Sequence, residues 1–272
     1  MHDRFLQEPP RLPNSWTSDR ILRDALRHHL GVEAFALAEP DLAEMGAAAT
    51  SDDVLSLAAR AETEPPQHDP YAPWGRRIDD IRVSDAFFEL GRLGVRAGVT
   101  ALPYEKTLYE DRARLVWAGL IVLWGPSSAL YSCPVAMTDG AARTLIEHAG
   151  EDAVEVVARL TSRDPGFAWT SGQWMTETSG GSDISRTGTI ARRGGDDTWR
   201  LWGTKWFTSS TTSEMALTLA RPEFGTPTEP GSSPLALSGS NACSRVVNAT
   251  PSSSAALRKS SGRAPCRRPS SN

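Results

Sequence analysis

The sequence has no apolar run long enough to cross a bilayer. Its longest, Leu115 to Trp124, falls well short of the roughly 20 residues a spanning helix needs. The three cysteines, at 133, 243 and 266, have neither the paired spacing of a zinc scaffold nor the density of a disulfide framework. The five histidines, at 2, 28, 29, 68 and 148, do not fall at metal-ligand spacings. The opening MHDRFLQEPP is polar and lacks the apolar core of a signal peptide. A formal net charge of -4 over 272 residues gives no general drive toward nucleic acid or anionic membranes. These absences point to a cytoplasmic protein with no bound metal and no membrane partner.

Aromatic and acidic residues are also missing from one end of the chain. All nine Trp lie at or before Trp206, and the last aromatic ring is Phe224. From Gly231 to Asn272 there are twelve Ser, six Lys or Arg, and no Asp or Glu. Such a stretch buries too little apolar surface to offset the entropy of ordering it. Three segments are expected: helical residues 1–164, a β segment over 165–237, and a disordered Ser/Arg-rich tail over 238–272.

Within the first segment, Thr17-Ser18-Asp19 caps a helix bearing Ile21, Leu22, Ala25 and Leu26 on one face. Ser51-Asp52-Asp53 and Ser84-Asp85 open two more. Pro65 and Pro66 begin a loop through Pro73. An apolar helix spans about Glu110 to Trp124, and two others fit 138–149 and 151–162. Asp164-Pro165-Gly166 is a stop. Beyond it the period becomes two: Thr187, Thr189 and Ala191 alternate, Gly194 to Asp197 turns, and Trp199, Leu201 and Gly203 alternate back. A further strand fits 214–220.

Two stretches carry the chemistry. The first is Gln173-Trp174-Met175-Thr176-Glu177-Thr178-Ser179-Gly180-Gly181-Ser182-Asp183, where a strand runs into a loop of hydroxyls and glycines. Exposed N–H groups with the Thr176 and Ser182 hydroxyls suit a phosphate or the edge of a flavin; taken alone, the loop reads better as a polar β-turn. The second is Gly203-Thr204-Lys205-Trp206-Phe207-Thr208-Ser209. The intervening hairpin would set this aromatic stretch beside the glycine loop, giving the flat apolar walls and few polar groups that suit a planar cofactor. Core packing is the alternative for Trp174 and Trp206.

Together, MTETSGGSD and GTKWFTSS resemble the acyl-CoA dehydrogenase family, and more narrowly its AidB-like, alkylation-response branch. Tyr71 to Val83 and Cys133 to Thr138 are similar to helical-domain segments of that branch. The resemblance covers about Leu12 to Pro222. It implies an α+β fold: a helical N-terminal domain and an antiparallel β-barrel-like middle domain, with the family's C-terminal helical bundle missing. The middle-domain face that the family places against that bundle implies an apolar patch around Trp202 and Met215. It implies FAD as cofactor, an acyl-CoA-like substrate oxidised at Cα–Cβ, and a homo-oligomer in an intact relative. By position, Met175 and Thr176 would meet the flavin's pyrimidine edge, near Trp174 and Gly181. Ser182 would contact pyrophosphate or the CoA portion. Trp206 would lie against the ring, with Phe207, Thr208 and Ser209 completing the wall. Thr178-Ser179 stands where many dehydrogenases have Pro-Gly, a departure the AidB-like branch shares. No residue corresponds to the family's α-proton base, which the missing bundle supplies, so this chain is expected to be inactive. Glu177 reads as a loop-ordering carboxylate. The alternative is a flavin- and DNA-binding protein of the alkylation response with little turnover, its DNA contacts lying in the missing bundle.

The tail holds a second reading. Joining the third base of each codon to the first two of the next, synonymous codons for 248–271 spell RDAIVVRRLKEKLGTRALPTAEL. That string resembles the family's continuation. A one-base deletion near Leu237-Ser238 would displace the frame and produce the tail; a genuine Ser-rich linker is the alternative.

Overall fold

The computed structural model describes residue 7 and residues 10–105, 109–194, 199–223, 236–241 and 246–249. The chain forms two compact units, Met1–Ser132 and Cys133–Asn272.

The first unit is built on helices α1 (Ser15–Ser18), α2 (Arg20–Ala49), α3 (Asp52–Thr63), α4 (Asp85–Ala97) and α5 (Ala113–Trp124). The capping signals operate as expected: Asp19 accepts from the Leu22 N–H at 2.9 Å, Ser51 from Val54 at 3.3 Å and Ser84 from Ala86 at 3.2 Å. Helix α2 runs well beyond the face marked by Ile21, Leu22, Ala25 and Leu26 and is broken at Gly31, whose φ of 75° and ψ of 174° interrupt the helical path. The Arg112 guanidinium donates to the Leu30 carbonyl there, serving the end of the first half-helix. Helices α2 and α5 approach closely at Gly119, where a Cβ would lie 2.8 Å from Leu26 and 2.9 Å from Leu42. Leu30, Leu42, Leu90, Val116, Leu120 and Trp124 are buried in this unit.

The loop expected from Pro65 through Pro73 instead contains strand β1 (Gln67–Tyr71), which pairs antiparallel with β2 (Arg77–Arg82) just beyond it. The prolines concealed it. Pro70 falls where the register shifts between Asp69 and Tyr71, a position that does not require its missing N–H. Arg82 pairs with Asp69 and Arg77 with Asp79, each at 2.7 Å.

A glycine in α4 permits dense aromatic packing. A Cβ on Gly91 would lie 2.1 Å from the Tyr131 ring. Gly91→Ala is therefore expected to destabilise by roughly 1–3 kcal/mol through overpacking. Gly140→Ala, on a helical position with open space around it, should instead stabilise by up to about 1 kcal/mol. Thermal melts of the two variants should move in opposite directions.

The second unit contains α6 (Ser132–His148), α7 (Val154–Leu160) and strands β3 (Ser171–Trp174), β4 (Ile190–Arg193), β5 (Trp199–Trp202), β6 (Met215–Glu223), β7 (Ala236–Asn241) and β8 (Val246–Ala249). The division falls before α6 because that helix is joined to the sheet: buried Thr138 accepts the Ser171 N–H at 2.9 Å and donates to Pro134 O at 2.7 Å. Change of periodicity, by contrast, marked residue 164. The Arg159 guanidinium lies over Phe167 at 4.5 Å and Trp169 at 4.8 Å, holding the connection from α7 to β3.

Strands run in the order β5-β4-β6-β7-β8, with β3 also pairing with β6. The pairs β4–β5, β6–β7 and β7–β8 are antiparallel. Both β3 and β4 run parallel to β6, sharing its length: β3 faces Met215–Thr218 and β4 faces Arg221–Glu223. Alternation around a turn reveals the hairpin but not these parallel pairings. The burial of Thr187, Thr189 and Ala191 follows the expected alternation. Of the turn at 194–197, residues 195–197 lie outside the described residues, as does most of the tail. Strands β7 and β8 lie mostly within residues 238–272, where no strand was expected. Met215 is buried within β6, so it forms no surface patch with the half-exposed Trp202, which the Arg192 guanidinium overlies at 5.2 Å.

Candidate functional site

The loop after β3 is closed by two reciprocal backbone bonds, Glu177 N–H to Gly180 O at 3.2 Å and Gly180 N–H to Glu177 O at 3.0 Å. Gly180 sits at φ 152°, outside the range other residues favour, and turns the chain back. Gly181 then packs on Thr176: a Cβ there would lie 3.0 Å from the threonine methyl. The second motif comes alongside as expected, and the Trp206 N–H donates to Thr176 O at 2.9 Å. A few residues on, Trp174 Nε1 donates to Ser209 O at 3.0 Å, while Thr218 on β6 donates to Trp174 O at 2.6 Å.

These bonds bring Trp174, Thr176, Gly181, Trp206 and Ser209 together. Met175 is half-buried between Trp174 and Thr176. Ser182, near the end of the first stretch, and Phe207, within the second, stand exposed. Trp206 is 51% exposed and Phe207 79%, their ring centroids 5.6 Å apart and the ring planes at 77°. Rings so nearly perpendicular cannot both lie flat on one planar ligand, so one would stack and the other bound its edge. Phe207 and Ser210 have positive φ of 56° and 59°. Such conformations cost about 1–3 kcal/mol each and cluster where a surface is shaped for a ligand.

Trp174 and Thr208 also border an open cavity of about 290 Å³ with Thr189, Leu201, Gly203, Lys205, Thr211 and Thr218. None of these last six was singled out as a site residue from sequence.

Beneath the two stretches lies a buried charged network. One Glu177 oxygen accepts the Gly188 N–H at 2.6 Å; the other accepts the Thr189 N–H at 3.1 Å, the Thr189 hydroxyl, and Lys205 Nζ at 2.7 Å. Lys205 Nζ also donates to Leu219 O on β6 at 2.8 Å. The side chains of Glu177 and Lys205 are 9% and 10% exposed. Gly203 permits the close approach of this strand end, since a Cβ would lie 2.3 Å from the Thr189 hydroxyl. Arg221, also buried, donates to the Thr187 and Ser185 carbonyls and so fixes the chain leaving the glycine loop. Lys205 lies inside a quoted motif and Arg221 just past the strand expected over 214–220. The available signal for both was a charged residue within a β pattern that otherwise buries apolar or hydroxyl groups.

Burial alone would push the Glu177 carboxyl up. The bonds from Lys205, Thr189 and Gly188, with the Lys205 charge, outweigh it and hold the group at about 2 rather than 4.5. A carboxylate depressed in the folded state stabilises that state above its unfolded value. Its contribution, on the order of 3 kcal/mol, is then lost as pH falls from about 4.5 toward 2. Urea melts at pH 6, 4 and 2.5 should show this loss, and Glu177→Gln should flatten the part of the profile it causes.

Comparison with known proteins gives this geometry its context. Residues 8–165 match the family described as adaptive response protein AidB N-terminal domain. Acyl-CoA dehydrogenase family member 11 of Caenorhabditis elegans is 40% identical over 222 residues, 80% of this chain. The acyl-CoA dehydrogenase-type protein AidB of Escherichia coli is 30% identical over 193 residues, 68% of this chain. The chain spans 36% of the length of each of these relatives. The crystal structure of Caenorhabditis elegans ACDH-11 in complex with C11-CoA superposes with a TM-score of 0.81 at 37% identity, over 89% of this chain and 42% of that one.

Proposed function

The chain belongs to the AidB family of acyl-CoA dehydrogenase-like proteins, and from that premise we propose that it carries one wall of a flavin site. The observation that supports this most directly is the exposed Trp206–Phe207 edge, joined through the Trp206 amide to Thr176 beside a glycine-lined loop. The residues present fit FAD. Trp206 and Phe207 offer a stacking face and an edge, Thr176 and Thr208 offer hydroxyls, and the loop at Gly180 and Gly181 leaves room for close approach of the cofactor's backbone. Met175 and Thr176 would hold the pyrimidine edge, Trp174 and Ser209 would brace the wall from behind, and Ser182 would meet a phosphate.

Bound FAD supplies a hydride acceptor. This chain's residues orient that acceptor and shield one side of it from water. The intact protein's reaction would be oxidation of the Cα–Cβ bond of an acyl-CoA; the nematode relative's complex with C11-CoA supports a substrate of that class. Removing the α-proton needs a base within hydrogen-bond reach. Glu177 is not suited to that role, being already bonded to Lys205, Thr189 and Gly188. We assign the base to sequence beyond this chain. The alternative codon reading of 248–271 supports a displaced frame, tested by the nucleotide sequence: family-like helices in the other phase support it, and unrelated sequence sinks it.

A fluorescence titration tests the cofactor assignment. Residues 1–272 should quench FAD fluorescence saturably but weakly, and lose the flavin on gel filtration. Absence of saturable binding would overturn the flavin reading. A stable yellow protein with one flavin per chain would overturn the claim that only part of the site is here.

A further inference from the structure

Residues 205–209 cross the surface between two anchors. At one end Lys205 reaches inward to Glu177 and to Leu219 O on β6. At the other, Trp174 Nε1 holds Ser209 O. Trp206, Phe207 and Thr208 span the gap outside any strand, with Phe207 held at positive φ. The Trp206 amide bond to Thr176 O lies at a partly exposed surface, where a lone backbone hydrogen bond is weak and opens readily. Its two ends are each one residue from the buried pair: Glu177 follows Thr176, and Lys205 precedes Trp206.

We propose that Lys205 is a positioning residue, which by clasping Glu177 and β6 keeps the Trp206 amide on Thr176 and fixes the aromatic edge in its ligand-facing pose. The proposal rests on the flavin reading but makes a claim about the protein alone. Lys205 acts through Trp206, its ammonium being engaged by Glu177 and by Leu219 O. Its three-way joint links the glycine loop, the aromatic strap and the central strand, so the relative placement of the two motifs depends on it. Thr189 completes the joint from the strand side, holding the carboxylate in the orientation that Lys205 meets.

The test uses the full chain and the double variant Glu177→Gln/Lys205→Met, which removes both charges and leaves neither buried alone. Three quantities are read: amide hydrogen exchange at Trp206, exchange along β6, and FAD affinity by fluorescence titration. The expected result is cooperative melting, exchange at Trp206 at least tenfold faster, β6 amides unchanged, and at least tenfold weaker FAD binding. A folded variant with Trp206 exchange unchanged overturns the proposal. So does faster exchange with FAD affinity unchanged, because the edge would then not need the clasp. If the unaltered chain binds no FAD, the flavin reading fails, while exchange at Trp206 still decides whether Lys205 sets the strap. Should the double variant fail to melt cooperatively, Lys205→Arg is read the same way, since it keeps the cation and shifts its donors.

Discussion

No acyl-CoA should reduce an electron-accepting dye in the presence of residues 1–272, even with FAD in excess. Positioned proton transfer contributes roughly 10²–10⁴-fold to such reactions, and exclusion of water around the thioester adds to it. The carboxylate nearest in sequence to the proposed flavin edge is Glu177, which is buried and held at about 2. A group so weakly basic, already accepting from a lysine, a threonine and a backbone amide, is a poor acceptor for a Cα proton. A longer chain, translated in the displaced frame from about Ser238, should recover flavin binding and, if the dehydrogenase reading is correct, turnover. The measurement is dye reduction across an acyl-CoA panel with both the shorter and the longer chain. Turnover by the shorter chain that disappears in Glu177→Gln, with the melt retained, would reverse the assignment of that glutamate.

Lys205→Met alone should strongly destabilise the second unit while leaving its apolar core intact. It would leave the Glu177 carboxylate buried without its cation, a loss typically about 3–5 kcal/mol. For a chain of this size that corresponds to a fall of roughly 6–20 °C in the thermal midpoint. The double variant should fall much less, because replacing both members of a buried pair avoids the orphaned charge. Calorimetry on the two single variants and the double gives the coupling directly. Additive effects would show that the two side chains do not act as a pair.

Much of this architecture was legible in the chain. Asp19, Ser51 and Ser84 declared their helices because a capping side chain acts within three residues, and local rules read local contacts. The alternation from Thr187 to Ala191 and back through Leu201 exposed the β4–β5 hairpin for the same reason. Three other features depend on distant partners or on exceptions. Gly31 breaks a helix whose apolar periodicity carries straight through it. The β1–β2 pair is hidden by Pro65, Pro66, Pro70 and Pro73, which read as loop. The parallel pairing of β3 and β4 with β6 is set by tertiary packing. The candidate site divides similarly. The two motifs announced themselves by composition, and their adjacency followed from the hairpin between them. Arg221 gave no sign of its partners, because Thr187 and Ser185 accept through backbone carbonyls that every residue possesses, and no local rule pairs Lys205 with a carboxylate 28 residues earlier.

The exposed β1–β2 pair has a consequence for how molecules of this protein meet. Strand edges are templates for strands of other chains, and a two-stranded ribbon has two such edges. Here one strand carries Pro70 at its register shift, and Asp79 interrupts the other with a φ of 48°. Salt bridges between Arg82 and Asp69 and between Arg77 and Asp79 place charge along the ribbon. An incoming strand would find a missing donor, a kink and ions to strip of water, so this ribbon resists fibrous, edge-to-edge growth despite lying open to solvent.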